Sequence, residues 1–258
     1  MNIKKALIAM GLMLALAAPG GATAAPKIGD LLGKLDNALE LKTDGTAEVE
    51  MTRQKDKEGV KIYKSIFYRR DRDDAFLILM TAPEVEKGNG YLRTGDNFWM
   101  YRRNTRTFQH INRDESIAGS DAKSGDFEKK KWSELYQAAV DKAGAEKVVA
   151  TKLGAIDVYQ FEVAAKTEDV TYPKRVLWIR QDNYLPLKTQ DYSANGTLMN
   201  TAYFISYQPY QGKFLWVKAI FVDEFEKGDK TIVEIKNISF KKIDDYVFTK
   251  AYLESLSK

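Results

Sequence analysis

Few side chains in this 258-residue sequence could carry chemistry. Its one histidine, His110, stands on a basic stretch between Gln109 and Ile111, and there is no cysteine. The usual zinc and iron sites, built from clustered His, Cys and carboxylate ligands, therefore cannot be assembled. A Ser-His-Asp triad would have to use His110, and no nucleophile elbow, P-loop, G-x-G-x-x-G or H-E-x-x-H motif is present. Glycoside hydrolysis needs only two carboxylates, for which Asp121 and Asp126 are the best exposed candidates. Both sit in a glycine-containing stretch where Asp is common for turn reasons alone. The four tryptophans, Trp99, Trp132, Trp178 and Trp216, could stack on sugars, although core packing is the commoner fate of a strand tryptophan. Arg102, Arg103, Arg106 and Arg113 form a local basic cluster. It suits a solvated strand edge, or contact with anionic lipid headgroups or an acidic partner. The chain is read as a binding protein with no catalytic residue, no cofactor and no metal, rather than as an enzyme.

The elements that would position these residues are mostly strands. Asn97 to Arg102 turns Phe98 and Met100 one way and Trp99 and Tyr101 the other, so this strand needs cover on both faces. Ala75 to Thr81 has the same character, with Phe76, Ile78 and Met80 opposite Leu77 and Leu79. So does Lys213 to Val222, with Leu215, Val217 and Phe221 opposite Phe214, Trp216 and Ile220. Short polar or Gly-containing turns join the strands as hairpins, which argues for antiparallel pairing. The expected order begins with a helix capped by Asp30 and ending near Glu40. Six strands follow between Thr46 and Ile111, then a polar loop from Arg113 to Lys131 and a helix from Ser133 to about Ala143. Seven strands between Lys147 and Lys241 and a short helix over Lys250 to Leu256, capped by Thr249, complete the chain. The fold class is mainly β: a strongly curved antiparallel sheet forming an incomplete half β-barrel with a helical lid.

The amino terminus reads as a secretory signal over residues 1–24. Lys4 and Lys5 precede an apolar run from Ala6 to Ala18, and Ala22-Thr23-Ala24 supplies small residues for cleavage. Residues 25–258 are expected to form one domain in the periplasm, held together by core burial because disulfides are impossible. Lipid attachment at the cleavage point needs a cysteine, so no lipid anchor is expected. Removal of Lys4 and Lys5 lowers the formal charge from +4 to +2, which is no nucleic-acid signature.

Several runs in order resemble the LolA-like outer-membrane lipoprotein-sorting proteins. They are Met80-Thr81-Ala82-Pro83, Gly95-Asp96-Asn97-Phe98-Trp99-Met100-Tyr101, Gly119-Ser120-Asp121, Trp178-Ile179-Arg180, Leu185-Pro186-Leu187-Lys188, Phe248-Thr249 and Tyr252-Leu253. The resemblance implies a half-barrel whose cavity takes the acyl chains of a lipid or lipoprotein. It also implies a donor complex or exporter at the inner membrane and an acceptor at the outer membrane. On it, Phe76, Ile78, Met80, Trp99, Met100 and Tyr101 are the candidate cavity residues. Arg72 is the candidate lid or gate arginine, with Arg69 and Arg70 competing for the role, and Arg102, Arg103 and Arg106 are candidates for partner or headgroup contact. Arg102-Arg103 replaces the family's usual proline, and Ala-Lys-Ser-Gly-Asp-Phe follows Gly119-Ser120-Asp121 in place of an aromatic and acidic run. The same fold would also serve an envelope sensor or an exporter-associated accessory protein. A secreted glycan-binding module is the remaining alternative.

Overall fold

The computed structural model describes residues 25–112, 115, 131–168, 170–226 and 228–257. The signal segment, Arg113, Gly119-Ser120-Asp121 and Asp126 lie outside the described residues, as does all of the expected lid loop except Glu115 and Lys131. Among the described residues a single sheet of fourteen strands, all paired antiparallel, runs in the order β6-β5-β4-β3-β2-β1-β14-β13-β12-β11-β10-β9-β7, with β8 paired to β9. The first half contains β1 (Asp44–Lys55), β2 (Gly59–Arg70), β3 (Ala75–Ala82), β4 (Gly90–Thr94), β5 (Asn97–Arg102) and β6 (Thr107–His110). The second contains β7 (Tyr136–Ala138), β8 (Val148–Leu153), β9 (Ile156–Ala165), β10 (Lys174–Arg180), β11 (Pro186–Tyr192), β12 (Leu198–Tyr210), β13 (Lys213–Asp223) and β14 (Lys230–Ser239). The sheet does not close into a barrel: β6 and β7 are its two ends.

Three apolar clusters cover the sheet. On the concave face Val49, Met51, Phe76, Ile78, Met80, Phe98, Phe221 and Val233 form one of them. Beside it α1 (Ile28–Leu39) lays Ile28, Leu31, Leu32 and Leu35, spaced for one helical face, over Phe161, Val163, Leu177 and Ile179. Its first turn takes its cap from elsewhere: Asp30 makes no cap, and the Ile28 N–H donates to Glu146 Oε2 at 2.9 Å. On the convex face Ala75, Leu77 and Leu79 of β3 meet Leu92, Tyr101, Phe248 and Leu253, so α3 (Lys250–Leu256) and the turn at Asp245–Phe248 cover β3 to β5. The Thr249 side chain accepts from the Tyr252 N–H and caps α3 as expected. The two faces of Ala75 to Thr81 therefore have two different covers.

The helix expected from Ser133 to Ala143 is cut to one turn, α2 (Trp132–Leu135), and continues as β7. The sheet edge outbids the helix because Tyr136 is buried there. Its hydroxyl donates to the Tyr172 carbonyl at 3.0 Å, and Tyr136 to Ala138 pair with β9.

Arg70, at the end of β2, holds the convex cover in place. Its guanidinium donates to both Asp73 oxygens at 2.8 and 2.7 Å and to Asp245 at 2.5 Å, and it lies 4.4 Å from the Phe248 ring centre. Arg70→Met should lower the free energy of unfolding by about 2 kcal/mol in urea titration, because charge-assisted hydrogen bonds contribute roughly 1.5–3 kcal/mol. The neighbouring, exposed Arg72 makes a single pair with Asp245, so Arg72→Met should change stability by less than about 1 kcal/mol.

Candidate ligand cavity

Between the two concave clusters lies a cavity of about 340 Å³, within the range of small-molecule sites. Its apolar lining comes from Leu39 of α1, Val49, Phe67, Phe204, Trp216, Phe221 and Ile235 of the sheet, and Trp132 and Leu135 of α2. Register explains how distant strands meet there. Phe161, Leu177, Thr189, Ala202, Phe221 and Thr231 are successive partners across β9 to β14, so they share the inner face. Alternation alone would separate Trp216 from Phe221, as the sequence reading did. The pairing of β12 with β13 shifts around Ser206, so that Trp216 partners Tyr207 while Lys218 partners Ser206. This bulge reverses the parity of the strand and brings Trp216 to the concave side with Phe221.

The helices are tied over this space by polar contacts. Asp36, buried in α1, accepts from the Trp132 N–H at 2.7 Å, the Ser133 N–H at 2.9 Å and the Ser133 hydroxyl at 2.5 Å, and so caps α2. Further along α1, Lys213 Nζ at the start of β13 donates to the Asn37 carbonyl and side-chain oxygens, both at 2.7 Å. Asp36→Ala would strip the cap from α2 and leave amides unsatisfied. A loss of about 2 kcal/mol is expected, read as a lower thermal midpoint, with faster hydrogen exchange at Trp132 and Ser133.

One wall is polar. Asp191 on β11 is almost wholly buried, with Arg175 Nε at 3.1 Å from Oδ1 and the Asn200 amide donating to Oδ2 at 3.0 Å. Burial pushes the Asp191 carboxyl up, against the opposing pull of Arg175 and Asn200. The Arg175 guanidinium lies 4.9 to 5.5 Å from the ring centres of Trp132, Tyr136 and Tyr172, linking α2 to this wall. Arg69 and Asp71, paired at 2.5 Å, also line the cavity.

The candidate residues divide by strand face. Phe76, Ile78, Met80 and Met100 lie on the concave side, packed with Phe67, Phe204, Trp216 and Ile235. None of the four is among the residues that line the cavity; they pack behind Phe67, Phe204, Trp216 and Ile235, which do. Trp99 and Tyr101 are placed on the convex side, outside the cavity, because strand alternation turns them away from Met100. Tyr101 is buried with Phe248 and Leu253, and Trp99 faces Lys250, whose Nζ is 3.2 Å from the ring centre. His110 meets the Trp99 ring edge-on at 5.0 Å. Arg72 lies by Asp245, away from the cavity, whereas Arg69 borders it. Arg102, Arg103 and Arg106 are exposed on the β5–β6 hairpin. Phe67 and Phe204 were not singled out from the sequence, although each is an aromatic on a long strand. Leu39, at the end of α1, packs with the apolar face of that helix.

The protein family described as uncharacterized protein-like matches residues 72–255. No curated protein matches the sequence. Among solved structures, a LolA superfamily protein from Nitrosomonas europaea superposes with a TM-score of 0.72 at 19% identity, covering 88% of this chain and 100% of that one. An outer membrane lipoprotein-sorting protein domain from Vibrio parahaemolyticus gives 0.75 at 18% identity over 88% and 97% of the two chains. A DUF1329 family protein from Desulfovibrio piger gives 0.75 at 20% identity over 87% and 97%. At these identities the likeness establishes the fold, an open antiparallel half-barrel with few helices.

Proposed function

We propose a carrier function from two premises: the chain belongs to the protein family described as uncharacterized protein-like, and its fold is LolA-like. The protein is exported, cleaved after Ala24, and works as a single soluble periplasmic domain. It shelters the acyl chains of a lipid or lipoprotein and moves them from an inner-membrane donor complex or exporter to an outer-membrane acceptor. The observation that carries this reading is the largely apolar cavity between the sheet and the helices α1 and α2. Each methylene buried there is worth about 0.8 kcal/mol. That gain works against parting α1 and α2 from the sheet, so release requires a partner that favours the open form. Phe67, Phe204, Trp216 and Phe221 would touch the chains, and Phe76, Ile78, Met80 and Met100 pack behind that lining, where flexible methionines let it adapt to variable chain shapes. Arg69, beside the cavity, takes the lid-facing role in preference to Arg72.

Titration with dansyl-undecanoic acid tests the reading. Saturable enhancement and blue shift of the dansyl emission, reversed by excess fatty acid, is the expected result. An unsaturable response equal to that of an unrelated protein would contradict it.

A further inference from the structure

The cavity is bounded on three sides by groups that are already committed to other contacts. Behind Phe67, Phe204, Trp216 and Ile235 the sheet side is filled by Phe76, Ile78, Met80 and Met100. Opposite, Leu39 of α1 and Trp132 and Leu135 of α2 close the space. Those two helices are joined by the hydrogen bonds that Asp36 accepts from Trp132 and Ser133, and Lys213 ties α1 to β13. The third side is the polar wall. Asp191 is 2% exposed there, between its cross-strand partners Arg175 on β10 and Asn200 on β12. An acyl chain offers no hydrogen bond to that row. Pushing Arg175 or Asn200 aside would leave a buried carboxylate without its partners, at a cost that apolar contact does not offset.

We infer that the cavity shelters one acyl chain, which makes the cargo a single-chain lipid. The count follows from the volume. A cavity of roughly 150 Å³ takes the six carbons of benzene. On that measure the 340 Å³ present here accommodates about fourteen carbons, the length of one membrane acyl chain. A second chain would need as much space again. Making it would mean parting α1 and α2 from the sheet and breaking the Asp36 and Lys213 ties while cargo is held. The limit rests on the carrier reading and narrows it, because a lipid with two or three chains would leave the others in water.

Equilibrium binding to the purified protein, below micelle-forming concentrations, tests this with two homologous series: saturated fatty acids and lysophosphatidylethanolamines of about ten to about twenty carbons. Each added methylene should strengthen binding about fourfold until the chain reaches about fourteen carbons, and further lengthening should gain little. The break should fall at the same length in both series, because the chain and not the head sets it. Native mass spectrometry with excess myristic acid should show one acid per protein beyond any bound by Ala202→Trp, whose indole fills the cavity. Phe204→Ala, checked for folding by circular dichroism, removes a benzene-sized ring from the lining and should move the break outward by roughly six carbons. Two or more acids per protein by that count, a gain that continues unbroken to the longest chain, or a break that differs between the two heads would overturn the inference and leave the carrier reading standing. Absence of saturable binding at every length would contradict the carrier reading and the inference with it.

Discussion

Ala202→Trp is expected to weaken dansyl-undecanoic acid binding by at least about 100-fold while leaving the protein folded. Ala202 is only 3% exposed and lines the cavity, in register between Thr189 and Phe221. An indole built there points into the space an acyl chain would occupy. Excluding four methylenes forfeits about 3 kcal/mol, which is more than a hundredfold in affinity. Crowding against Phe221 would cost about 1–3 kcal/mol of stability, within what a domain of this size tolerates. Far-ultraviolet circular dichroism would establish folding, and fluorescence titration would measure the loss. Retained affinity in a folded variant would place the ligand elsewhere.

The second large effect falls on the opposite face, at Gly90. A Cβ added there would lie 2.8 Å from the Ile78 carbonyl oxygen on β3 and 2.5 Å from Leu253 Cδ1 on α3. The leucine could shift, but the carbonyl belongs to the sheet and cannot. Gly90→Ala should therefore destabilise by about 3 kcal/mol, the upper end of overpacking costs, and lower the thermal midpoint by roughly 6–12 °C. Adding Leu253→Ala would remove only the side-chain clash and open a cavity of its own, so it should not restore stability. Acyl-probe affinity should be unchanged in Gly90→Ala below its melting range, because Gly90 belongs to the convex packing. A neutral Gly90→Ala would mean that the Ile78 carbonyl of β3 does not approach Gly90 as closely as described.

Strand pattern made much of this architecture legible in advance. The inward set Phe76, Ile78 and Met80 and the outward set Leu77 and Leu79 fall in separate clusters, as two-faced alternation requires. The apolar spacing of α1 and the Thr249 cap of α3 were equally readable, because both depend on residues close in sequence. What escaped depends on distant partners. The β12–β13 bulge reverses the parity that placed Trp216 opposite Phe221, and a bulge is set by pairing rather than by composition. Tyr136 leaves a helical pattern because β9 offers it a ladder and Tyr172 a buried acceptor. Trp99 and Tyr101 resembled cavity residues by type, yet the convex cover that claims them is built from the last residues of the chain.

Native mass spectrometry of the protein purified from its own cell envelope tests the carrier claim most directly. The account predicts adducts with the mass of a phospholipid or an acylated peptide, released by organic extraction and much reduced in Ala202→Trp. Apo protein alone, from the same envelope under conditions that preserve lipid adducts on a control carrier, would contradict it.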